Sequence, residues 1–221
     1  LKGGKQPMIN TFSFGSYILV YNGQIYNTKE LSETLKENGF TLNSHSDTEV
    51  LLKSYIHYGK NVVNHLNGIF AFAIWDTNNN EIFLARDHFG VKPLFYTKID
   101  ETLVFSSEIK ALFQYPGVKK VLNEQSISEL FGIGPAHTSG TTIFKNIYEI
   151  KPAHFGIFNK NGFNIKRYWK LKSEKHVDTF EETCEKLKFL LNDAITRQLV
   201  SDMPLCTFLS GGLVSSIITK S

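Results

Sequence analysis

The chain has 221 residues, 42% of them hydrophobic and 20% charged, with a formal net charge of +3. That length buries a sizeable core in one large domain or two small ones, and the composition is that of an ordinary globular protein. Lys and Arg are scattered, with Lys166-Arg167 the one near run, and no apolar stretch reaches membrane-spanning length, so nucleic acid and membrane are excluded as expected partners.

The 17–21 run, Tyr-Ile-Leu-Val-Tyr, predicts a buried strand ending at the turn signal Asn22-Gly23. Asn27 and Thr28 can cap a short helix with Leu31 and Leu35 inward and Gly39 as its stop. Ser46 and Glu49 have capping-box spacing, opening a helix with Val50, Leu51, Tyr55 and Ile56 that closes at Gly59. Gly68–Asp76 and Glu81–Ala85 read as a hairpin across Asn78-Asn79-Asn80. Phe95–Thr97 with Leu103–Ser106 read as a second hairpin. Ala153–Phe158 with Phe163–Trp169 read as a third, with Asn161-Gly162 at its two-residue turn.

The pattern changes after Trp169. Residues 170–178 are polar, a linker by composition. Thr179 and Glu182 form another capping box, and Phe180, Cys184, Leu187, Leu191 and Ile195 recur at helical spacing. Leu205–Leu209 reads as a strand, and Ser210-Gly211-Gly212 opens the next helix. The expected organisation is an α+β domain over 1–169 joined to the start of an α/β domain over 170–221. The first residue is Leu1, and the last ten residues enter a helix that stops, so a piece of a longer chain is expected. No secretory leader pattern is visible. Cys184 and Cys206 make neither a disulfide framework nor a metal site, and a Cys placed late in a chain is usually a small core residue. A reducing, cytoplasmic setting is the default.

Two segments carry chemistry. Tyr21-Asn22-Gly23-Gln24-Ile25-Tyr26-Asn27 and Ser46-Asp47-Thr48-Glu49-Val50 form the first. In acyl transfer from an amide, a nucleophile attacks the carbonyl and an oxyanion must be held. An Asn amide and a Gly N–H at a strand end supply two donors for it, and a nearby carboxylate holds a substrate ammonium. From the residues alone, Asn-Gly is also an ordinary turn, Asp47 an ordinary helix-start acid, and His45 a loop histidine.

The stretch Tyr21–Asn27 resembles the glutamine-site motif of class II, N-terminal-nucleophile glutamine amidotransferases. Ser46–Val50 resembles the second motif of that site. Leu66–Asp76, Ala85–Tyr96 and Phe105–Leu112 extend the likeness, in order, to the glutamine-hydrolysing asparagine synthetases. The resemblance implies an αββα sandwich of the N-terminal-nucleophile class, without its leading strands, followed by the first part of a synthetase domain. It implies Asn22 and Gly23 as the oxyanion hole, and Asn22, Gly23, Gln24 and Asp47 as glutamine-binding, with Asp47 on the α-ammonium. The position of Gln24 commonly carries Glu. The family's nucleophile is an N-terminal Cys whose amine is the base, which neither Cys184 nor Cys206 can be, and its carboxylate-binding Arg lies upstream of Leu1. Arg86-Asp87 with Lys92-Pro93 is read as structural: an Arg–Asp salt bridge tying two strand ends, with Gly90 and Pro93 shaping the turn.

The second segment is Ser210-Gly211-Gly212-Leu213-Val214-Ser215-Ser216. Glycines let backbone N–H groups and hydroxyls cradle an anion at a helix start, although Ser-Gly-Gly is also a common flexible loop. It resembles the pyrophosphate loop of the ATP-pyrophosphatase synthetase domain. The resemblance implies Leu209, Ser210, Gly211, Gly212, Ser215 and Ser216 as ATP-binding, with ATP and Mg2+ as cofactors of the parent enzyme. Val214 stands where an Asp usually helps hold magnesium pyrophosphate, so no metal ligand is expected in this chain. Glutamine, aspartate and ATP are the implied small-molecule partners, and a homodimer is compatible. The alternatives are a related amidotransferase with another carboxylate acceptor and a degenerate binding module.

Overall fold

The computed structural model describes residues 4–13, 15–134, 138–200 and 204–220. The chain divides into two compact units, 2–170 and 171–221. Each is described by itself.

The first unit begins with β1 (Met8–Phe12), β2 (Gly15–Ile25), α1 (Thr28–Glu37), α2 (Asp47–Tyr58) and a 3-10 turn (Gly59–Asn64). Then come β3 (Gly68–Asp76), β4 (Glu81–Arg86), β5 (Phe95–Ile99), β6 (Thr102–Ser106), α3 (Ile109–Leu112) and α4 (Glu124–Ile133). It closes with β7 (Tyr148–Glu149), β8 (His154–Asn159) and β9 (Gly162–Arg167). The strands form two antiparallel sheets, one of six in the order β1-β2-β3-β4-β8-β9 and one of three in the order β6-β5-β7.

Side-chain alternation along β3 builds the layers. Phe70, Phe72 and Ile74 point one way and Ala71 and Ala73 the other, as the two-residue period of a strand requires. The large side chains pack with Leu31 and Leu35 of α1 and Leu51 and Tyr55 of α2. The small face, with Leu84, meets Leu94, Leu103 and Ile150 beside the second sheet. α3 packs against β5 and β6. The result is the expected α+β class: helices on one face of a large sheet and a second antiparallel sheet on the other.

Local signals were followed with two shifts. The Ser46 hydroxyl caps α2 by accepting from Thr48 N (3.2 Å), but Glu49 does not reach back to close the box. Its carboxylate instead accepts from Asn43 N (2.9 Å), Ser44 N (2.7 Å) and Ser44 Oγ (2.6 Å). Burial pushes the Glu49 carboxyl up, yet those hydrogen bonds outweigh it and leave it below the usual range. The third hairpin turns at Lys160-Asn161, one residue earlier than expected. The pairs Phe158↔Phe163 and Asn159↔Gly162 set that register, and Asn161 N donates to Asn159 Oδ1 (2.9 Å). Gly162, with φ 101°, becomes the first residue of β9.

The second unit contains α5 (Phe180–Gln198) and α6 (Leu213–Lys220). Thr179 and Glu182 form both halves of the capping box. Leu205–Leu209 is not a strand: its composition suits one, but no described strand offers it the backbone partners that a ladder needs. Cys184 and Cys206 are exposed rather than packed as small core residues. No helix among the described residues is long and apolar enough to cross a membrane.

Candidate functional site

The site is built on the end of β2. Pairing with β1 extends only to Met8↔Leu19. Two residues further along, the Gln6 side chain takes both backbone groups of Tyr21. Its Oε1 accepts from Tyr21 N (2.6 Å) and its Nε2 donates to Tyr21 O (2.7 Å). Backbone donors alternate along a strand, so the N–H groups of Tyr21, Gly23 and Ile25 share one edge. Gln6 takes the first, and Asp47 Oδ2 takes the third at 3.3 Å. The Gly23 N–H lies between them, and no described strand residue is registered with it on that edge.

Gly23 faces Phe70 of β3, and the approach is close. A Cβ at this position would lie 2.2 Å from Ile69 O and 2.8 Å from Phe70 Cα, so only glycine fits. Asn22 is exposed, and its Nδ2 donates to Ser107 Oγ at 3.3 Å. It lines a cleft of about 220 Å³ with Ala71, Phe105, Ser106 and Ser107, at the seam of the two sheets. Gln24 follows, half-buried and paired with Ile69.

Asp47, at the first turn of α2, is 7% exposed. Its Oδ2 also accepts from the hydroxyl of Tyr21 at 2.9 Å. Burial, reinforced by the Asp47 charge, raises the Tyr21 hydroxyl well above its ordinary value, so it stays protonated and donates. One carboxylate thus ties the start of α2 to two points on β2, on the strand edge that carries Gly23. His45 is an exposed loop residue.

Arg86 and Asp87 are structural, as expected, but they do not pair with each other. Arg86 Nη1 bonds Glu149 at 2.8 Å, and the guanidinium donates to the carbonyls of Lys92 (2.9 Å), Gly90 (2.9 Å) and Ile150 (2.6 Å). Asp87, 1% exposed, accepts from the N–H groups of Phe70, Phe89, Val91 and Lys92 at 3.0–3.2 Å. A planar guanidinium satisfies several carbonyls at once, and a carboxylate satisfies several amides, so backbone capture replaces the expected ion pair. Through Phe70, Asp87 fixes the β3 residue opposite Gly23. The sequence reading did not find Tyr21, Gln6, Ser107 or Glu149 as partners. Gln6-Pro7, ahead of an alternating strand, was the available signal for one of them.

In the second unit, Gly211 adopts φ 78° and Ser210–Gly212 leads into α6. Ser210 Oγ and Ser215 Oγ are 3.0 Å apart, and the Ser215 and Ser216 hydroxyls donate to Gly212 O at 2.9 Å. Leu209 and Val214 are exposed. The donor set of N–H groups and hydroxyls suits phosphate oxygens. The aliphatic Val214 supplies no ligand for a magnesium ion.

A large antiparallel sheet with helices on one face and a second antiparallel sheet on the other is the sandwich of an amidotransferase-type domain. The chain belongs to the glutamine amidotransferase domain family, which matches residues 1–169, and residues 186–221 match the asparagine synthase family. It is 52% identical over 99% of its length to asparagine synthetase [glutamine-hydrolyzing] 3 of Bacillus subtilis, covering 36% of that protein. It is 36% identical over 99% of its length to synthetase 2 of the same organism, covering 30% of it. Among solved structures, glutamine phosphoribosylpyrophosphate amidotransferase from B. subtilis matches 74% of this chain and 32% of its own. The TM-score is 0.52 and the identity 25%. The chain spans about a third of the length of these relatives.

Proposed function

We propose that this chain is the glutaminase portion, with the start of the synthetase portion, of an ATP-dependent asparagine synthetase. Such an enzyme hydrolyses glutamine and delivers the ammonia to β-aspartyl-AMP. One observation carries this reading: the Gly23 N–H lies on a strand edge between the N–H groups taken by Gln6 and Asp47, and it follows directly on Asn22, whose side-chain amide lines the cleft beside Ser107. A nucleophile's attack on the side-chain carbonyl of glutamine moves the carbonyl π pair onto oxygen. Asn22 Nδ2 and Gly23 N–H donate to that oxygen, Asp47 faces the α-ammonium, and Gln24 contacts the substrate. Collapse of the adduct breaks the C–N bond, the nitrogen leaves protonated as ammonia, and water then hydrolyses the acyl intermediate to glutamate.

The attacking thiol is the N-terminal Cys of the family. Cys184 and Cys206 lie beyond the amidotransferase match and do not replace it. The Ser210–Ser216 loop with Leu209 is the phosphate-facing side of the ATP site, where ATP supplies the activation of the acceptor carboxylate. Val214 weakens its hold on magnesium pyrophosphate. Residues 1–221 by themselves are therefore expected to release no ammonia from glutamine above a no-enzyme control, whereas the full-length protein does. Ammonia release by the isolated chain would refute this assignment of the nucleophile.

A further inference from the structure

We propose that Tyr21 is a positioning residue for Asp47, holding its carboxylate where the α-ammonium of glutamine is bound. The inference rests on the glutaminase reading above and adds to it. Tyr21 stands one residue before Asn22, and its side chain is turned to the helix side of the large sheet. There its hydroxyl donates to Asp47 Oδ2 at 2.9 Å. Both side chains are over nine-tenths buried by exposure, Tyr21 at 9% and Asp47 at 7%. The Tyr21 backbone is independently clamped by Gln6 through bonds of 2.6 and 2.7 Å, so the hydroxyl is aimed from a fixed point. Among the described residues, the other donor to the same Asp47 oxygen is the longer Ile25 N–H, at 3.3 Å. Asp47 belongs to α2 and Gly23 to β2. The Tyr21 hydroxyl therefore sets the distance between the ammonium side and the oxyanion side of one substrate.

The test uses the full-length protein with Tyr21→Phe, which removes the hydroxyl and keeps the ring. A bond to a charged group of this kind corresponds to about a tenfold change in an equilibrium constant. The glutamine KM is expected to rise about tenfold with kcat within about twofold, because the lost interaction is made equally in the ground and transition states. The KM for glutaramate, which lacks the α-amine, is expected to stay unchanged. An unchanged glutamine KM, or a parallel rise for glutaramate, overturns the proposal. Asp47→Asn separates the two readings. If it leaves the glutamine KM unchanged, the assignment of Asp47 itself fails; if it raises that KM while Tyr21→Phe does not, only the positioning role fails. Should Tyr21→Phe not fold, 3-fluorotyrosine at position 21 keeps the shape and alters the hydroxyl's acidity. A shifted glutamine KM with a constant glutaramate KM then supports the proposal, and no shift overturns it.

Discussion

Replacing Asn22 by Ala in the full-length protein is expected to lower the glutamine-dependent kcat by about 10²–10³-fold, the usual consequence of removing one oxyanion-hole donor. The same variant should keep its ammonia-dependent synthesis within about twofold, because ammonia bypasses the acyl-transfer step. Asn22 is exposed, and its side-chain bond to Ser107 is long at 3.3 Å, so the change costs the fold little. That separation of activities is what identifies the role. A loss of both activities would mean that Asn22 supports the structure rather than the oxyanion. A loss of neither would remove it from the site. Asn22→Asp is expected to be at least as damaging, since a carboxylate repels the developing negative charge and offers no donor.

The largest effect on stability is expected at Asp87. Its two oxygens receive four backbone N–H groups from Phe70, Phe89, Val91 and Lys92. Replacement by Ala strands the buried Phe70 donor and leaves the others to find water. A buried donor without a partner costs about 1–3 kcal/mol, and the remaining bonds add to it, so a loss of about 3–5 kcal/mol is expected in chemical denaturation. Asp87→Asn retains one acceptor oxygen and should lose roughly half as much. Because Phe70 lies opposite Gly23, the Ala variant should also impair glutamine hydrolysis in whatever fraction stays folded. A variant with unchanged stability would show that the turn after β4 does not depend on this carboxylate.

What was legible in the sequence followed short-range rules. The Asn-rich turn between β3 and β4 and the glycine after α2 marked element ends, and both stand where those residues predict. The hairpin expected over Gly68–Asp76 and Glu81–Ala85 is present as β3 and β4, whereas the separate use of the Phe and Ala faces of β3 by the two hydrophobic clusters emerged only in the structure. The short β1, with only Met8–Phe12, and α4, with Ser126, Ser128 and Gly132 inside or near it, carry weak local signals and were not anticipated. Long-range partners were the least readable. Arg86 meets Glu149, 63 residues away, and Tyr21 meets Asp47 across the packing of a helix on a sheet. Nothing in the spacing of those residues encodes either pair. Leu205–Leu209 illustrates the converse: strand-like composition without a described strand to bond it.

The site itself was half legible. Asn22, Gly23, Gln24 and Asp47 could be named from a motif, but the motif does not say why these backbone groups are available. That depends on where β1 stops pairing and on the Gln6 side chain taking its place beside Tyr21. That no described strand residue is registered with the Gly23 donor is a property of sheet register, visible only when the strands are in place.

The central claim is that the amide nitrogen of glutamine passes to aspartate. The most direct measurement supplies the full-length protein with amide-15N glutamine, aspartate, ATP and Mg2+ and follows the label. The account predicts 15N in the side-chain amide of asparagine, with AMP formed in equal amount. Label remaining in glutamine, or appearing in the amide of a different carboxylate while aspartate is untouched, would contradict it.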